Sequence, residues 1–130
     1  MSDFGDVPAA ILSAIDGAIT LGGSRDGFIG YEHIPAGAYP YAMTYGPVKE
    51  IDRGEFQHGV ETTATNVVVV WNGDTLATVN AAMVLIEAAL NGSTLGSIVE
   101  DTWVAVAGRD ESLESPLIAA VFQINTRVNV

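Results

Sequence analysis

Two stretches of the chain repeat apolar residues every three or four positions, and several others alternate or run apolar at strand spacing. Val7, Ile11, Ala14, Ile15, Ala18 and Ile19 recur at helical spacing, which predicts an amphipathic helix. Asp6 ahead of Val7-Pro8 predicts an N-cap with proline in the first turn, and Gly22-Gly23 predicts the stop. Residues 22–38 hold five glycines and Pro35, so they predict a long loop with one short strand around Phe28–Tyr31. Tyr39-Pro40-Tyr41-Ala42-Met43-Thr44-Tyr45 alternates large and small side chains, a strand that Gly46-Pro47 should close. Residues 49–59 read as a charged, glycine-punctuated loop. Thr62 to Trp71 is β-branched and ends in four valines and a tryptophan, a strand expected to be buried on both faces for part of its length.

After the Asn72-Gly73 turn, Asp74 is positioned to cap a second helix. Leu76, Val79, Met83, Ile86 and Leu90 form its main apolar stripe, and Asn91-Gly92 ends it. Ile98 to Ala107 predicts a strand, Gly108 to Pro116 an acidic turn, and Leu117 to Val130 a final strand. On that last strand Ile118, Ala120, Phe122, Ile124, Thr126, Val128 and Val130 share one face, opposite Gln123, Asn125, Arg127 and Asn129. The order α-β-β-α-β-β predicts an α+β domain over residues 1–130. Its sheet should be antiparallel or mixed, with four to five strands and two helices packed on one face.

The second helix changes the picture. Opposite its stripe lie Ala77, Ala81, Val84, Leu85 and Ala88, and Glu87 is its one charge. A helix apolar nearly all round has to be covered on both sides. One way is a sandwich between the sheet and the first helix. The other is a neighbouring subunit against Ala77, Ala81, Val84, Leu85 and Ala88, which a single domain of this size favours. A long final strand lying at a sheet edge would point the same way, because an open edge needs a partner.

Charge narrows the function classes. Five Lys+Arg against sixteen Asp+Glu leave a net charge of −11. The bases Arg25, Lys49, Arg53, Arg109 and Arg127 are scattered, so there is no patch to grip nucleic-acid phosphates or an anionic membrane. The chain has no cysteine, which excludes disulfides, thiolate metal sites and cysteine nucleophiles. Its first residues lack a basic stretch ahead of an apolar run, and the apolar stretch Leu76–Leu90 is interrupted, so neither a secretory leader nor a membrane span is expected.

Catalytic or cofactor chemistry is not indicated. Asp16, Glu32, Glu61 and Glu87 are explained by solvated faces, and His33 and His58 lack the convergent ligands a metal needs. Gly22-Gly23-Ser24 ends a helix where an anion cradle would open one. Phe28, Tyr31, Tyr39, Tyr41 and Tyr45, without interleaved bases, read as core and interface packing. Glu50, Asp52, Glu55 and Glu61, and Glu100, Asp101, Asp110, Glu111 and Glu114, form two acidic runs that are either solvated or line one surface of an assembly. No enzyme, cofactor or metal is expected.

The layout resembles the tail-terminator family of long-tailed bacteriophages, also described as minor tail or tail-completion proteins. The marks are the helix Val7–Ile19, the proline-led strand YPYAMTYGPVKE with its acidic loop, and the strand TTATNVVVVWNG leading into the helix DTLATVNAAMVLIEAAL. The Leu95–Val106 segment and the closing strand SPLIAAVFQINTRVNV complete them. The resemblance implies a homo-oligomeric ring, typically a hexamer, in the virion tail or neck, assembled in the host cytoplasm. Such a ring caps the tail tube protein, stops its polymerisation and meets the head-side connector protein, while DNA passes through without specific binding. Glu50, Asp52, Arg53 and Glu55, with Arg109, Asp110, Glu111 and Glu114, are then the candidates for lumen or docking loops. The very low lysine content departs from a typical member. A head–tail connector or neck protein is the neighbouring alternative. From other classes come a small oligomeric α+β enzyme or ligand-binding domain, with a cleft near Tyr39, Tyr41 and His58, and a monomeric acidic binding module, which the apolar second helix opposes.

Overall fold

The computed structural model describes residues 6–52, 60–110, 113 and 116–129. Helix α1 spans Asp6–Ile19, followed by the short strand β1 (Gly23–Arg25), a 3₁₀ turn (Tyr31–His33), β2 (Tyr41–Asp52) and β3 (Val60–Asn72). Helix α2 (Leu76–Leu90), β4 (Asp101–Asp110) and β5 (Leu117–Asn129) complete the chain. The five strands form one mixed sheet in the order β1-β2-β3-β5-β4, with β1 parallel to β2 and every other pair antiparallel. The α+β class, the two helices and the four principal strands follow the sequence pattern. The extra strand lies at 23–25 and not at 28–31. Gly22 makes that possible, since a Cβ there would sit 2.5 Å from the Ala38 carbonyl group. Its N–H donates to the Pro40 carbonyl at 2.8 Å, which brings β1 alongside β2.

Strand alternation sorts the core into two layers. Val67, Val69, Trp71, Ala120, Phe122 and Ile124 lie beneath the helices with Val7, Ile11, Ile15, Val79, Ile86 and Leu90. Met43, Val68, Val70 and Ala119 face the other way, where Ile34 and the 26–40 loop cover them. The valine run of β3 is therefore buried on both sides, as its unbroken apolar sequence predicts. Each fully buried aliphatic side chain contributes about 1.5–3 kcal/mol.

Three strand ends depart from expectation. Gly46-Pro47 does not close β2, which continues to Asp52 through register shifts between Tyr45 and Lys49 and between Glu50 and Asp52. Proline is tolerated because β1 pairs only with Tyr41–Met43, leaving the rest of β2 as an edge that needs no outward N–H at Pro47. Gly108-Arg109-Asp110 belong to β4 and not to the acidic turn, since their register continues along β5 to Ala119. The final strand β5 is interior, between β3 and β4; the edge is β4.

Candidate assembly surfaces

Helix α2 is anchored at both ends by local chemistry. Gly73, at φ +83°, turns the chain out of β3, and the extended Thr75 then caps the helix by accepting from the Thr78 N–H at 3.2 Å. Asp74, the expected cap, lies one residue too early. At the other end the Asn91 N–H donates to the Glu87 carbonyl, and Gly92 at φ +82° leads away. Val79, Ala82, Ile86 and Leu90 are buried, against α1 and against β4 and β5. Leu76 and Met83, expected in the same stripe, are exposed and half-buried, because Ala82 takes the inner position that the helical phase provides.

The opposite face is open in the single chain. Ala77, Ala81, Val84, Leu85 and Ala88 are all exposed, Val84 at 66% and Leu85 at 53%. At 3.6 residues per turn these five fall on one stripe about 100° wide. Neither the sheet nor α1 covers this stripe, so the sandwich reading does not account for it. Helix α2 lies on the β4 side of the sheet and α1 on the β1–β2 side. The helix that carries the stripe thus lies on the side of the sheet where β4 is the outer, edge strand. Between Thr102 and Gly108 that edge has neither proline nor charge, and Val106 is 55% exposed. At Thr102 and Val104 the end of α2 already closes it, the Gly92 N–H donating to the Thr102 carbonyl at 2.7 Å and the Val104 N–H to Asn91 Oδ1 at 2.8 Å. The stretch beyond, past a register shift between Val104 and Val106, is where another chain could pair.

The acidic candidates separate in space. Asp52 and Val60 lie where β5 finishes and β4 begins, through the pairs Val60↔Asn129 and Asp101↔Arg127. Asp110 and Leu117 lie at the other end of the sheet, with Asn72. A 13-residue strand such as β5 spans about 40 Å, so Asp110 stands far from Asp52, whereas Asp101, from the same acidic run as Asp110, lies at the Asp52 end. Glu50 and Asp52 sit in β2, and Arg109 and Asp110 in β4, where loops were expected. Arg53, Glu55, Glu111, Glu114 and His58 lie outside the described residues. Among the described arginines, Arg25, Arg109 and Arg127 are exposed at three separate places: β1 and the two ends of the β4–β5 pair. His33 and Glu32 form an exposed pair at 3.6 Å, of little energetic weight.

One feature escaped the sequence reading. On the face away from the helices, Phe28, Tyr31, Tyr45, Val68, Asp110 and Val121 line a cavity of about 390 Å³. Phe28 and Tyr31 meet edge to face, ring centroids 5.4 Å apart, and the Tyr31 hydroxyl donates to Asp110 Oδ2 at 3.1 Å. Burial, then that hydrogen bond, the Asp110 charge and neighbouring Tyr45 push the Tyr31 phenol up to about 12. Tyr45 is raised by burial and by Asp110. Tyr39 and Tyr41, the expected cleft residues, pack into the loop-side core layer instead. The available signal was the alternation that sends Tyr45 to the same side as Tyr41. The 79 residues separating Tyr31 from Asp110 hid the rest.

No family model and no curated protein matches the chain. Solved structures do. A chain from the virion of a native gene transfer agent (GTA) particle superposes with a TM-score of 0.67, covering 95% of this chain and 95% of that chain at 16% identity. The fold is therefore shared with a chain of that virion.

Proposed function

We propose that the chain is a structural protein of a phage-like virion and, within that class, a tail terminator acting as a homo-oligomeric ring, a hexamer in this reading. The observation that carries it is the superposition over 95% of both chains with a component of a GTA virion. The uncovered stripe Ala77, Ala81, Val84, Leu85 and Ala88 supports a subunit seam on the outer side of α2.

A terminator needs two dissimilar ends, one that accepts the tube and one that refuses a further tube subunit. The two sheet ends supply different candidate groups among the described residues: Glu50 and Asp52 at one, Arg109 and Asp110 at the other. Arg53 and Glu55 follow the first pair in sequence and Glu111 and Glu114 the second. In this reading one set meets the tail tube protein and the other the head-side connector protein. A net charge of −11 per subunit suits a lumen that DNA slides through without being held. No catalytic step and no cofactor is part of this role.

The test is sedimentation velocity with negative-stain imaging, alone and with tail tube subunits. Rings with a central hole, and tubes that stop growing when capped, are expected. A chain that stays monomeric at high concentration and neither binds nor caps tubes overturns the proposal. Capping of the connector in place of the tube would move the protein to the head side of the neck. Charge reversal at Glu50, Asp52 and Glu55 together should impair tail joining or DNA passage while leaving the monomer folded.

A further inference from the structure

We propose that the hollow lined by Phe28, Tyr31, Tyr45 and Asp110 is a socket for a cationic side chain, an arginine guanidinium presented by a partner protein. The cavity, at about 390 Å³, falls in the range of small-ligand pockets. Three aromatic rings form its walls, Val68 and Val121 contribute aliphatic surface, and a carboxylate stands at its margin. Aromatic faces attract cations through the ring quadrupole, and a guanidinium stacks on them while its methylenes lie on apolar surface.

Charge complementarity selects the occupant. None of the lining side chains is a cation, and the chain as a whole carries −11. Both phenols keep their protons well above neutral pH, so Asp110 supplies the negative charge while the rings stay neutral. An apolar guest would forgo the carboxylate, and an anion would be repelled by it. Phe28, 49% exposed, stands in contact with solvent, and its edge-to-face contact with Tyr31 holds the two rings at 88°. The socket is on the face away from α2, so it is separate from the seam proposed above and stands whether or not the ring reading does.

The experiment uses two probes of the same shape, N-acetyl-arginine methylamide and its neutral citrulline counterpart, titrated into the full chain by NMR. Arginine should perturb Phe28, Tyr31, Tyr45, Val68 and Val121 and bind at least about fivefold more tightly than citrulline. Phe28→Leu keeps apolar area and removes a ring, and should bring arginine affinity down toward that of citrulline. Asp110→Asn keeps an acceptor for the Tyr31 hydroxyl and should do the same. Equal affinity for the two probes, perturbations elsewhere, or unchanged arginine binding in both variants overturns the proposal.

Discussion

Helices α1 and α2 contribute alike to the core and differently to the surface. Helix α1 buries Val7, Ile11, Leu12 and Ile15, and α2 buries Val79, Ala82, Ile86 and Leu90. Outward, α1 shows Ala9, Ser13, Asp16 and Gly17, whereas α2 shows Ala77, Ala81, Val84, Leu85 and Ala88. The polar outer side of α1 is a finished surface. The outer side of α2 keeps apolar area in water that folding alone does not remove. The sheet edges are both interrupted, β2 past Met43 by register shifts and Pro47, and β4 by a register shift between Val104 and Val106 and by the bonds of Asn91 and Gly92 to Val104 and Thr102. The contrast therefore rests on the two helices: the outer side of α2, and not that of α1, leaves large apolar side chains exposed.

The sharpest way to break this comparison is to cut the same helix on its two sides. Ile86→Ala removes a side chain with no exposure, and should cost about 2–5 kcal/mol in urea unfolding of the dilute protein. Val84→Ala on the outer side should change that stability by no more than about 0.5 kcal/mol. If the two cost the same, the outer stripe is already packed within the single chain.

Next in size is the effect on self-association. Leu85→Asp places a carboxylate on the exposed stripe and should weaken assembly at least tenfold, about 1.4 kcal/mol, with the urea midpoint of the monomer unmoved. Sedimentation velocity across a concentration series measures it. Assembly equal to the parent's would remove α2 from the seam.

A third prediction separates two neighbouring residues. Thr75→Ala deletes the hydroxyl that accepts from the Thr78 N–H, and should cost about 1 kcal/mol. Asp74→Ala, one residue earlier, should leave thermal stability unchanged. Both are good capping residues, and the sequence could not choose between them because the choice depends on where the Gly73 turn leaves the backbone. The same reason runs through the other departures. Local periodicity made both helices, the β3 valine run and the alternation of β5 legible. What stayed hidden depends on partners distant in sequence. Pro47 is tolerated because β1 stops at Met43's partner, β5 is interior because β4 returns outside it, and Gly108–Asp110 are strand because β5 continues opposite them. The α2 stripe was readable as an anomaly; the cavity was not, since four of its lining residues read as ordinary strand or loop positions until Tyr31 and Asp110 were brought together.

The smallest predicted effect compares the two faces of the sheet. The layer under the helices closes on aliphatic residues, whereas the loop-side layer holds two phenols beside a carboxylate, so alkaline pH should act on the latter. The Tyr31 phenol ionises near 12 in the folded chain and at about 10 when unfolded. Its native form therefore keeps a proton that the unfolded form gives up. The resulting stabilisation is fully present below pH about 10 and is lost as pH rises through about 12. Alkaline titration followed by tyrosinate absorbance should show two tyrosines raised above the ordinary value, Tyr31 and Tyr45, which Asp110→Asn lowers without restoring that value, because burial is the larger cause in both. The same substitution should shrink the loss of Tm between neutral pH and pH about 11. A midpoint that Asp110→Asn leaves in place would mean that burial alone sets it and that the Asp110 charge does not reach the cavity.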